Sequence, residues 1–121
     1  MPSAITTLNV RPVTRLFRAL GDETRLRIVA LLTHGELCVC HIEMALSLSQ
    51  PSASRQLGIL RAAEIVEPRR DGSWIYYRLT KQVDRDCKAI LRTLSRSFAA
   101  EETIRRDVAR LLKVKGPGSC R

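Results

Sequence analysis

The stretch Ser47-Leu-Ser-Gln-Pro-Ser-Ala-Ser-Arg-Gln-Leu57 decides the fold. Ser47-Leu48-Ser49 reads as a tight turn, with Ser49 or Gln50 capping a new helix. A side-chain oxygen there accepts a bond from an orphan N–H of the first turn. Pro51 falls in the same turn, where its missing N–H costs nothing. The helix runs to about Ala63 and turns Ala53, Leu57 and Leu60 inward at i, i+4 and i+7. Before the turn, a short helix from about Val39 to Leu46 buries Ile42 and Leu46. Two helices joined by a tight turn, the second with a polar outer face, form a helix-turn-helix pattern.

Working outward, Ile65-Val66-Glu67 and Trp74-Ile-Tyr-Tyr-Arg-Leu79 are β-prone runs around Arg69-Arg70-Asp71-Gly72. Asp-Gly between such runs predicts a hairpin. From about Gln82, the residues Val83, Cys87, Ile90, Leu91, Leu94 and Phe98 form one apolar stripe of a long helix. A further helical pattern, Ile104, Val108 and Leu111, reaches Lys113. Upstream, Val13, Leu16, Phe17 and Leu20 recur at helical spacing, and Gly21-Asp22 stops that helix and caps the next. Thr24 to Leu32 is apolar on most sides, as a buried central helix would be. The expected fold is mainly α with a small β-hairpin wing, a winged helix-turn-helix over residues 12–113. Residues 1–11 read as a polar arm and 114–121, with Gly116-Pro-Gly118, as a flexible tail.

The chain has 121 residues, room for one small domain that gains from burying further surface in a dimer. Its 21 Lys+Arg against 12 Asp+Glu leave +9, which points to nucleic acid first and an acidic membrane surface second. No apolar run of about 18 residues is present to span a bilayer. Met1 to Val10 lacks the basic start and apolar core of a secretory signal. Four cysteines without a loop-rich framework read as reduced cytoplasmic thiols rather than disulfide staples. No nucleophile, base and orienting acid stand in series, and no glycine-rich phosphate loop occurs, so no enzyme is expected.

Ser49, Gln50, Ser52, Ser54, Arg55 and Gln56 lie on or near the exposed side of the second helix of the motif. In a major groove, Gln can pair with adenine and Arg with guanine. Arg69 and Arg70 fall near the wing tip, where they would meet phosphate or the minor groove; a solvated hairpin tip is the plainer alternative. Trp74, Tyr76 and Tyr77 read as hairpin packing, and Arg25 and Arg27 as partners of nearby acids. Cys38 and Cys40 could be small core residues, yet two thiols beside a helix start are also candidate thiolates. On an ideal helix, positions i and i+2 lie roughly 200° apart, so one guest could hold both only if that helix start were bent.

Phe17-Arg-Ala-Leu-Gly-Asp-Glu-Thr-Arg-Leu-Arg-Ile28, Glu36-Leu-Cys-Val-Cys40, Ser49 to Leu57 and Gly72-Ser-Trp-Ile-Tyr-Tyr-Arg-Leu79 together resemble the arsenic-repressor (ArsR/SmtB) family of winged-helix metalloregulators. The resemblance covers roughly residues 12 to 80, in the family's order. It implies a homodimer, built largely from first and last helices, that represses an inverted-repeat operator until an inducer binds. Cys38 and Cys40 match the first two thiols of the Cys-x-Cys-x-x-Cys pattern of the arsenite and antimonite branch. Glu43 stands in place of the third thiol, and His41 where Asp is more usual. The family's zinc type needs Asp and His on the last helix, and no histidine follows His41; its cadmium and lead type needs arm cysteines, and Met1 to Leu37 holds none.

The resemblance therefore implies an As(III) or Sb(III) inducer, a methylated As(III) included, and no permanent cofactor. Its third ligand would be Cys120, Cys87 or Glu43. Each has a plainer reading: a solvated tail thiol, a core cysteine, a solvated or salt-bridged carboxylate. A thiol redox or persulfide sensor of the same fold is the alternative.

Overall fold

The computed structural model describes residues 7–114. At its centre lies α2 (Glu23–Leu32), whose Ile28, Val29, Ala30, Leu31 and Leu32 are all buried. Asp22 starts this helix by accepting the Arg25 N–H at 3.1 Å. Around it pack α1 (Val10–Leu20), α3 (Val39–Leu46), α4 (Gln50–Ala62) and α6 (Glu102–Val114), while α5 (Arg85–Phe98) lies against α1. Burying a Leu, Ile or Val side chain is worth about 1.5–3 kcal/mol, so this one shared core is the main source of cohesion.

The short strand β1 (Leu37–Cys38) pairs with β3 (Trp74–Leu79), which pairs with β2 (Val66–Asp71), all antiparallel. Leu37 faces Tyr77 and Cys38 faces Tyr76, while Arg69 faces Tyr76 from the other side. Because Asp71 pairs with Trp74, the hairpin loop is Gly72-Ser73, with Gly72 at φ +62°. The fold is the expected winged helix-turn-helix.

Several boundaries differ from expectation for physical reasons. Val10 and Arg11 belong to α1 rather than to an arm, because Pro12 sits in the first turn, where no N–H is needed. Val114 closes α6 instead of opening the tail, and the rest of the tail, Cys120 included, lies outside the described residues. Val83 does not join the α5 stripe: it precedes the Asp84 cap and is 97% exposed. Phe17, expected inward, is exposed on α1. Arg69 and Arg70 lie within β2, not in the loop at the tip. Strand β1 was not expected, being too short to show a period of two.

Candidate thiol site and nucleic-acid interface

Cys38 is both the last residue of β1 and the N-cap of α3, with extended backbone at φ −67°, ψ 143°. It is therefore off the helix, and the opposition expected of i and i+2 does not arise. The Cys38 and Cys40 sulfurs stand 3.2 Å apart. Strand pairing through Tyr76 fixes one sulfur, and the first turn of α3 fixes the other. The sulfurs are together because Cys38 lies outside the helix, so no bend within α3 is needed to bring them there.

The pair lines a cavity of about 240 Å³ whose other walls are Glu43 of α3, Gln50, Ser54 and Leu57 of α4, and Trp74, Ile75 and Tyr77 of the wing. One recess thus touches three elements at once. Glu43 shares it, but among the described residues no three His, Cys, Asp or Glu side chains form a group able to hold a metal ion. Cys87 is not there. It is buried at the start of α5 and borders a separate cavity with Arg15, Thr80 and Asp84. Burial, reinforced by the Asp84 carboxylate, pushes its pKa up to about 11. As placed, Cys87 does not share the recess of the Cys38 and Cys40 sulfurs.

The polar face of α4 divides three ways. Ser49 spends its hydroxyl oxygen on the Ser52 N–H at 3.2 Å. Gln50 and Ser54 flank the thiol cavity, and Arg55 is exposed on the side opposite Ala53 and Leu57. On the other flank, Gln56 Oε1 accepts from Arg25 Nη1 at 2.9 Å. Arg25 was expected to meet an acid; instead it donates to Gln56 and to two α1 carbonyls. Arg27 does meet acids, chiefly Asp107.

On the wing, Arg70 is exposed, whereas Arg69 already has partners. Its Nε and Nη2 reach Glu36 at 2.6–3.1 Å, and its guanidinium lies 4.8 Å over the Tyr76 ring. The Arg69 hydrogen bond holds the Glu36 carboxyl below its usual range. This latch ties the loop before β1 to the wing. Sequence reading missed Glu36, Arg25 and Asp107, because their partners lie 33, 31 and 80 residues away.

A capped polar-faced helix behind a tight turn, a basic wing and a charge of +9 define a winged helix-turn-helix DNA-binding regulator. The family model described as bacterial regulatory protein, arsR family, matches residues 22–67. The arsenic resistance transcriptional regulator ArsR1 of Pseudomonas putida is 42% identical over 100 residues, which is 82% of this chain and 77% of that one. The chain belongs to the arsR family. The arsenical resistance operon repressor of Escherichia coli K12 is 49% identical over 70 residues, covering 57% of this chain and 60% of that relative's length. Among solved structures, the homodimeric winged helix-turn-helix DNA-binding domain of Mb0332 from Mycobacterium bovis, a possible ArsR-family regulator, superimposes with a TM-score of 0.62. It is 32% identical and covers 78% of this chain and 83% of that domain. Among the described residues no helix is long and apolar enough to cross a membrane.

Proposed function

We propose that this protein is a cytoplasmic, homodimeric repressor that leaves its operator when As(III) or Sb(III) binds the Cys38 and Cys40 thiolates. The 3.2 Å sulfur separation, in a recess shared by α3, α4 and the wing, carries this reading. A centre bonded to both sulfurs at ~2.3 Å, the length of a zinc–thiolate bond, would see them at about 90°, well short of the ~109° a tetrahedral ion takes. That acute bite suits a pyramidal centre carrying a lone pair, with its third bond to water, hydroxide, a methyl group, Glu43 or Cys120.

The operator would be an inverted repeat, with two α4 helices set about one DNA turn apart. A guest on the sulfurs occupies the recess and presses on Gln50 and Ser54 of the reading helix and on Trp74 and Ile75 of the wing. The surfaces that must fit adjacent parts of the groove then lose their mutual setting. Coupling of ~1–3 kcal/mol, roughly 5–150-fold in affinity, is usual for such linkage and suffices for derepression.

The test is operator binding by fluorescence anisotropy with and without arsenite under a thiol reductant. Wild type should weaken 5–150-fold on arsenite. Cys38→Ser should bind the operator as wild type does and ignore arsenite. Arsenite release that survives in Cys38→Ser moves the site elsewhere. Release by peroxide or persulfide, with none by arsenite, makes the protein a thiol redox sensor instead.

A further inference from the structure

Arg25 and Gln56 form a contact that neither the thiol site nor the wing uses. Arg25 sits in the first turn of α2, half-buried, and makes three bonds with one guanidinium. Nε donates to the Ala19 carbonyl at 2.6 Å and Nη2 to the Arg18 carbonyl at 3.3 Å, both in the last turn of α1. Nη1 donates to Gln56 Oε1 at 2.9 Å. The last carbonyls of a helix lack helical partners and carry its negative dipole end, so they hold a cation well. A guanidinium is a planar fork of fixed angles with donors only. Two prongs fastened to α1 therefore fix the direction of the third.

The consequence falls on Gln56. A free glutamine amide can turn either edge to DNA, accepting from adenine N6 while donating to N7. Arg25 holds one lone pair of Oε1 and so sets which way the amide is turned, with the NH₂ on the side away from that contact. We propose that Arg25 is a positioning residue that turns the Gln56 amide so that its NH₂ reads a purine acceptor, N7 or guanine O6, in the major groove. The same bracket ties the angle of α4 to α1. This inference rests on α4 being the reading helix, as proposed above.

The test begins with duplexes selected from a random pool by the reduced wild-type protein, then replaces each selected purine with its 7-deaza analogue. Wild type should lose roughly 2- to 10-fold, the worth of one hydrogen bond, at one purine of each half-site. Gln56→Glu keeps oxygens for Arg25 but removes both donors. It should keep the thermal midpoint and dimer mass while losing the preference for selected over scrambled duplex. Its added charge repels both duplexes alike, so the ratio isolates the lost contact. Arg25→Lys and Arg25→Ala should still bind DNA but show a smaller 7-deaza penalty at that purine, since the freed amide no longer holds its NH₂ toward it.

An unchanged ratio in Gln56→Glu, or an unchanged 7-deaza pattern in both Arg25 variants, overturns the proposal. A failure of the underlying reading looks different. The wild type then enriches no sequence, or Arg55→Ala leaves selection and affinity untouched, and the proposal falls with α4 as reader.

Discussion

At the scale of single residues, the same side chain does opposite things according to where the backbone puts it. Cys38, at a strand end that caps a helix, is held 3.2 Å from a second sulfur. Cys87, in the first turn of α5, is 2% exposed and has its pKa pushed up to about 11 by burial and Asp84. At pH 8 only about a thousandth of such a thiol is thiolate, the nucleophilic form. Native protein treated with iodoacetamide at pH 8 should leave Cys87 unmodified by peptide mass mapping, and denaturant should expose it to labelling. Equal labelling in both states would contradict its burial. Because the folded pKa is raised, its contribution to stability is full below pH 9 and is lost as pH rises through about 11. Cys87→Ser should also leave arsenite-driven release intact. The sequence placed the helix start at about Val39, as the structure has it, but ideal-helix geometry was applied to Cys38, which lies outside that helix in extended backbone.

At the scale of elements, capping residues and apolar spacing made most helices legible, because both are local properties of the chain. What local pattern could not supply is backbone of unusual hand. The turn between α3 and α4 puts Ser47 at φ +55°, with the Leu48 N–H reaching back to the Glu43 carbonyl at 2.9 Å. That closure is normally made by glycine, which has no Cβ to strain. Ser47→Gly should therefore stabilise the fold by about 0.5–1 kcal/mol in urea denaturation, in spite of glycine's looser unfolded chain. A loss of stability would mean that Ser47 is not strained.

The wing offers a second case. The Glu36–Arg69 latch holds it to the loop before β1, and its distance in sequence hid it from pattern reading. Glu36 has a lowered pKa in the folded state, chiefly through the Arg69 hydrogen bond, so its contribution is present above the unfolded value of 4.5 and fades as pH falls through the folded one. Glu36→Gln should flatten that part of the acid-side stability curve. It should also free Arg69 for phosphate and steepen the salt dependence of DNA binding. An unchanged acid limb and salt slope would show that the latch does not persist in solution.

For the whole molecule, the longest-range bond joins α6 to the central helix α2. Asp107 of α6 is fully buried, yet it receives Arg27 of α2 through two 2.8 Å bonds and Arg110 through a third. Arg110 in turn donates to the Ala45 carbonyl of α3 at 2.8 Å. One carboxylate thereby fastens α6 to the central helix and, through Arg110, to the helix that carries Cys40. Charge pairs in a core repay their desolvation only when every partner is present, so removing one is costly while replacing the set by apolar groups need not be. Asp107→Ala should cost about 3 kcal/mol, the low end for a broken buried pair, because Arg27 and Arg110 keep 21% and 46% side-chain exposure and can rehydrate. Urea denaturation of Asp107→Ala, Arg27→Met and the double variant Arg27→Met/Asp107→Leu separates the two effects. If charge pairing is what binds the layers, the double variant recovers most of the loss from Asp107→Ala. If it falls as far as the single variants added together, the contact works through its shape alone, and α6 is held by Ile104 and Leu111 rather than by its ions.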